Sequence, residues 1–215
     1  MSSKLVFNKL KNNINMAQPG IMDIKIKGNK NILDELENVL SITEDVEEII
    51  NKLGGFEYCD YSVVVDYDRY NDNELFISLE KRWLAPIVLL LFLNKKYPQL
   101  DIKFRGEEEC PDVAFTNDID ESGYVVEGIG TFETFEECLK YLKDEGYIDD
   151  SIDEEFNDME DIQEARYEWD LDYGYSYYSH YVTIEEIYKS LKGEEGGDKW
   201  GNWFDYVRKT NCTKL

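Results

Sequence analysis

Residues 74–108 read ELFISLEKRWLAPIVLLLFLNKKYPQLDIKFRGEE, and the fold turns on how the apolar run in the middle is taken. WLAPIVLLLFL is 11 residues, too short to span a bilayer and too long for a typical strand. Pro86 suits a first helical turn, Lys95 and Lys96 sit where the negative end of a helix dipole favours cations, and Pro98 stops the helix. The run is therefore read as a buried helix. ELFISLEKRW (74–83) before it and QLDIKFRGEE (99–108) after it read as strands.

Upstream, YSVVVDYD (61–68) is a further strand, and the turn composition RYNDN makes it a hairpin with 74–83. IMDIKIKG (21–28) alternates apolar and polar residues as a half-buried strand does. Between the first two strands, Ile32, Leu36 and Leu40 recur at spacing four, and Val46, Ile49, Ile50 and Leu53 form a second stripe closed by Gly54 and Gly55. That predicts one or two helices. The order strand, helix, strand, strand, helix, strand is the split βαβ pattern of a ferredoxin-like α+β fold, an antiparallel sheet with helices on one face. DVAFTND and YVVEGIG (124–130), separated by the turn IDESG, extend it by one hairpin. The expected organisation is a polar segment at 1–20, a ferredoxin-like domain at 21–130 and an acidic, aromatic-rich helical region at 131–215 packed on it.

Trp83 at the end of an aromatic strand, Pro86 opening a helix, Tyr97 and Pro98 stopping it, and the run Glu107 to Glu109 closing the next strand resemble the YubB-type ferredoxin-like domain of uncharacterised plasmid and phage proteins. The resemblance covers roughly 21–130. It implies a mobile-element origin, and it implies no activity and no functional residues.

The C-terminal third has other signals. TFEECLKYLKDEG places Thr134 and Glu137 at capping-box spacing with Gly146 past the end, and TIEEIYKSLKG repeats the device with Thr183, Glu186 and Gly193. Two helices are predicted. Between them, Ile152, Phe156, Met159, Ile162 and Trp169 fall on one helical stripe, while Asp153, Glu160, Asp161, Glu164 and Glu168 gather opposite. A glycine-rich loop carrying Trp200 and Trp203 and a short closing helix, FDYVRKTN, end the chain.

The 215 residues carry 47 acidic and 23 basic side chains, a net charge of −24, and the excess grows along the chain. Residues 1–53 have seven basic and eight acidic side chains, and residues 144–215 have seven and twenty. Such a potential repels nucleic acid and anionic membrane and steers basic partners inward. Four cysteines, Cys59, Cys110, Cys138 and Cys212, show no CxxC spacing and read as thiols of a reducing cytosol. The N-terminal MSSKLVFNKLKNNINMAQPG has no apolar core of signal-peptide length, so a cytoplasmic protein of a bacterial host is expected.

Catalytic signals are weak. His180, the single histidine, has no nucleophile elbow beside it and reads as a packing or surface residue. DIDESGYVVEGI begins like a calcium loop with Asp118, Asp120, Ser122 and Gly123, but Ile129 stands where a bidentate glutamate is required, so a turn is expected, with Asp118 and Asp120 at most a weak cation site. GIGTFE is no nucleotide fingerprint. Tyr61, Tyr67, Phe76 and Trp83 suggest base stacking only in the company of basic residues they lack, so core or partner contact is expected. No catalytic residue, metal or cofactor is assigned, and the chain is read as a non-enzyme.

The remaining candidate site is the acidic stretch. Asp149, Asp150, Asp153, Glu154, Asp158, Glu160, Asp161, Glu164 and Glu168 supply the charge, and Tyr167, Tyr173, Tyr175, Tyr177 and Tyr178 supply an aromatic margin of the type enriched at interface hot spots. Carboxylates three or four apart on a helix stand about 5–6 Å from each other, comparable with phosphates along a strand. The leading expectation is a mobile-element inhibitor that mimics nucleic acid and blocks a basic defence protein, a CRISPR effector. The alternatives are a structural or regulatory module that assembles through its sheet, and a DNA mimic aimed at restriction enzymes.

Overall fold

The computed structural model describes residues 19–55, 62–82, 86–108, 113–126, 129–148, 156–158, 161–162 and 176–192. They form an α+β fold built on one eight-stranded, mostly antiparallel open sheet. The strands are β1 (Pro19–Lys27), β2 (Val63–Asn71), β3 (Glu74–Arg82), β4 (Asp101–Glu108), β5 (Val113–Thr116), β6 (Gly123–Val126), β7 (Gly130–Phe132) and β8 (Ser176–Tyr181), in the order β2-β3-β1-β4-β5-β8-β6-β7. Five α-helices are present among the described residues: α1 (Lys30–Leu40), α2 (Val46–Lys52), α3 (Ile87–Lys96), α4 (Phe135–Asp144) and α5 (Ile184–Lys192).

Alternation in the first strands sorts side chains between two faces. Met22, Ile24 and Ile26 of β1 stand opposite Leu79, Ile77 and Leu75 of β3, and Ile24 and Ile26 also face Phe104 and Ile102 of β4. All are buried, and together they floor the main core. Leu33, Leu36 and Leu40 of α1 and Val46, Ile49 and Ile50 of α2 close it from above. α3 is apolar all round because it is covered all round, with every residue from Ile87 to Leu93 buried. Each such side chain removed from water contributes about 1.5–3 kcal/mol. Lys96 at the end of α3 donates to the carbonyl of Leu53 just past α2, and Tyr188 of α5 donates to the carbonyl of Leu91, 2.6 Å away. These bonds tie the helices to each other as well as to the sheet.

The helix boundaries follow the chemistry read from the sequence. Pro86 is the N-cap of α3 and Tyr97 its C-cap. Thr134 caps α4 by accepting from the amide of Glu137 at 3.2 Å. Thr183 and Glu186 form the full reciprocal box at α5, with Glu186 N–H on Thr183 Oγ1 at 3.2 Å and Thr183 N–H on Glu186 Oε2 at 2.8 Å. Gly54 and Gly146 take the left-handed conformation that ends a helix, with φ of +79° and +76°.

Two expectations need correction. The single strand read over 124–130 is two strands, β6 and β7, paired antiparallel from Tyr124–Phe132 to Val126–Gly130, with the Ile129 amide turned back onto the Val126 carbonyl at 3.0 Å. The chain reverses after only four residues. The region after 131 is also more than helical. β8, which carries Tyr177 and Tyr178 of the expected aromatic margin, inserts between β5 and β6, parallel to the first and antiparallel to the second. Its burial alternates from Tyr177 to His180, with Tyr177 and Ser179 buried and Tyr178 and His180 exposed. That is a strand period, not a helical one.

A second cluster lies over the β6–β7 end. Cys138 and Leu142 of α4 pack on Val126 with Ile148, Phe156 and Ile162. Phe156 and Ile162 belong to the apolar stripe expected for the acidic helix, and both are buried in this cluster. Met159, Ile152 and Trp169 of that stripe lie outside the described residues, as do Trp83, Trp200, Trp203 and the closing helix.

Candidate functional site

Of the nine acidic candidates, Asp158 and Asp161 are described. Both are exposed or half-exposed, and both already serve the chain locally. Asp161 accepts from the Asn157 amide at 2.6 Å and from Asn157 Nδ2 at 3.1 Å, and Asp158 accepts from the Asp161 amide at 3.0 Å. The bonds from Asn157 hold the Asp161 carboxyl below its ordinary value. These two residues start a turn, which is a structural use of a carboxylate. Asp149, Asp150, Asp153, Glu154, Glu160, Glu164 and Glu168, with Tyr167, Tyr173 and Tyr175, lie outside the described residues.

The two described tyrosines of the expected margin are separated by the strand they share. Tyr177 is buried on the side of the sheet away from the helices, so it is not a presented hot spot. Its hydroxyl donates to Glu107 Oε1 at 3.2 Å, and the Arg105 guanidinium lies 5.2 Å from its ring centre while pairing with Glu107 at 2.5 Å. Tyr178 points to the other side and keeps 42% of its surface exposed. Its ring meets Tyr124 edge-on at 4.9 Å and His180 edge-on at 4.7 Å. Tyr124 in turn lies 5.9 Å from Phe135 at the start of α4.

The open face of the sheet bears on the stacking and assembly readings. Its rows are set by register: Asp66, Ser78, Asp23, Arg105 and Thr116 in one, and Asp68, Phe76, Lys25 and Lys103 in the next. Lys25 pairs with Glu121 at 2.6 Å, Lys27 with Glu74 at 2.9 Å and Lys103 with Asp118 at 3.0 Å, and Ser78 donates to Asp23 at 2.6 Å. Each cation of this set meets a carboxylate, so Phe76 has no free basic neighbour here to hold a phosphate. Tyr67 is half-buried against the main core, and Tyr61 and Trp83 lie outside the described residues.

Asp118, the first residue of the calcium-like loop, caps a single 3₁₀ turn at Ile119–Glu121 and is held below its ordinary value first of all by Lys103. Among the described residues no three His, Cys, Asp or Glu side chains come together at metal-binding spacing. Burial pushes the Cys138 thiol up to about 11, which removes it as a nucleophile at neutral pH. Cys59, Cys110 and Cys212 lie outside the described residues. No helix among the described residues is long and apolar enough to cross a membrane.

No family model, curated protein or solved structure matches the chain. The reading of the site therefore rests on its own geometry. The signal that sequence reasoning missed was the strand period of YYSHYV, which separates Tyr177 from Tyr178 and brings Tyr124, Tyr178 and His180 together.

Proposed function

We propose that this protein is a non-enzymatic binding protein that offers its acidic surface to the nucleic-acid groove of a basic partner, a CRISPR effector in the leading reading and a restriction nuclease in the second. The observation that carries it is the charge balance. With 47 acidic and 23 basic side chains, at least 24 carboxylates are left over even if every base takes one acid. The described bases are largely spent inside the fold, as on the open sheet face, so the excess is left to solvent or to a partner. Self-repulsion of that size opposes folding, which favours a use for it. The burial of Phe156 and Ile162 supports an acidic extension held against the fold rather than trailing from it.

The finer fold reading belongs with this proposal. Strand order β2-β3-β1-β4, antiparallel throughout, with α1 and α2 between β1 and β2 and α3 between β3 and β4, supports a ferredoxin-like sheet extended by four strands. Pro86 and Tyr97 at the two ends of α3 support the YubB-type resemblance and, with it, a mobile-element origin in a bacterial cytoplasm. Assembly through an apolar sheet face finds less support, because the open face over β1, β3 and β4 is laced with ion pairs.

The test is inhibition of DNA cleavage by purified CRISPR and restriction nucleases, measured with the wild-type chain and with Asp153, Glu160 and Glu164 changed to Lys. Asp161 is left alone because it caps a turn. Inhibition that weakens steeply with salt and is lost in the triple variant is expected. Full inhibition by the variant rules the mechanism out.

A further inference from the structure

We propose that the ring of Tyr178, together with His180, is a preformed seat for an arginine side chain of a basic protein partner. The inference rests on the acidic-binder reading and adds the residue on which the partner is anchored.

An exposed tyrosine is ordinarily mobile, and stilling it on binding costs entropy. Tyr178 is exposed and already held. It projects from β8, a strand flanked by β5 and β6 within the sheet, and its ring makes T-shaped contacts with Tyr124 at 4.9 Å and His180 at 4.7 Å. The helices leave it uncovered because they dock on either side of β8: α4 sits on β6 and β7 through Cys138 and Leu142, while α5 joins the main core through Ile187 and Tyr188. Aromatic faces carry negative potential, so a cation is the complementary ligand, and a planar guanidinium stacks better than an ammonium.

Charge around the seat points the same way. Phe135 packs on Tyr124, and the turn and first helical turn that carry Phe135 hold Glu133, Glu136 and Glu137, all exposed. At the other end of β8, α5 begins with Glu185 and Glu186, of which Glu185 pairs with Lys189 and Glu186 caps the helix. The Phe135 end of this ring row is therefore acidic, which favours a cation over nucleic acid at Tyr178.

The experiment titrates the full chain with a hexa-arginine and a hexa-lysine peptide, using calorimetry and ring ¹H–¹³C spectra of labelled tyrosine and histidine. The arginine peptide is expected to bind more tightly and to shift the Tyr178 and His180 ring signals. Tyr178→Ala should lower arginine-peptide affinity about fivefold to tenfold and erase the preference over lysine, while Tyr178→Phe stays within about twofold. An unchanged preference in Tyr178→Ala overturns the proposal. So does an absence of ring shifts in the wild-type chain, which needs no variant to fold. Undiminished nuclease inhibition by Tyr178→Ala also sinks the seat and leaves the acidic-groove reading standing. Arginine-specific binding at Tyr178 without inhibition of any nuclease does the reverse.

Discussion

Gly106 faces Phe115 across the β4–β5 ladder, and a Cβ on it would fall 2.4 Å from the tip of that ring. Phe115 is fully buried against Phe104, so it has little room to retreat. Gly106→Ala is expected to destabilise the fold by about 1–3 kcal/mol through overpacking, read as a lower urea midpoint at unchanged slope. Adding Phe115→Leu should return part of the loss, and no recovery would place the strain elsewhere. His180 gives a pH prediction with a definite sign. Although His180 is exposed as a residue, partial desolvation of its ring beside Tyr178 pulls the imidazole below the ordinary 6.5, so the folded chain takes up the proton less readily than the unfolded one. Stability contributed by neutral His180 is thus intact above 6.5 and falls as pH drops through 6.5 toward the folded value. As the only histidine, it can be followed without assignment. An NMR titration midpoint below 6.5 is expected, and His180→Gln should flatten the stability slope between about pH 7.5 and 5.5. A midpoint above 6.5 would mean that its neighbours do not desolvate the ring.

α3 was the most legible element because three independent signals agreed on it: an apolar run of helical length, a proline at each boundary and lysines at the C-terminal end. β1 was legible from its alternation, and β2 and β3 from the turn composition between them, although β2 itself carries register shifts at Val64/Asp66 and Arg69/Asn71 that break its alternation. β8 was not, because aromatic residues following an acidic run suit an interface as well as a strand, and only its parallel partner β5, more than 50 residues earlier, decides between them. No local signal reports so distant a pairing. The same distance makes β8 the joint of the molecule. Within the sheet it stands between β5 and β6, and the core over β6 is a cluster separate from the main one. Ser179→Pro, in the middle of β8 and fully buried, removes a ladder donor and leaves an orphaned acceptor worth about 1–3 kcal/mol. Hydrogen exchange should then show lost protection at Val125 and Val126, while Ile24 and Ile77 stay protected. Uniform loss along the sheet would mean that the two clusters fold as one unit.

Across the whole molecule the dominant electrostatic fact is an imbalance, which sets the sign of its response to salt. The described ion pairs are mostly exposed, and screening weakens each by a fraction of about 1 kcal/mol. Screening also weakens repulsion among carboxylates that outnumber bases by two to one, and there are more such repulsions than pairs. Repulsion is the larger sum, because each unpaired acid acts on all its neighbours within a Debye length of about 30 Å at 0.01 M salt, shrinking to about 10 Å at 0.1 M. Raising sodium chloride from about 0.01 to 0.2 M is therefore expected to stabilise the chain. A gain on the order of 1 kcal/mol corresponds to a melting temperature higher by about 2–4 °C for a protein of this size. Arginine hydrochloride at the same ionic strength should raise it further if the acidic surface takes up guanidinium groups, and sucrose at the same osmolality should not reproduce the salt response. A melting temperature that falls with sodium chloride would mean that the ion pairs outweigh the excess charge, and the carboxylate surplus would then need no partner to explain it.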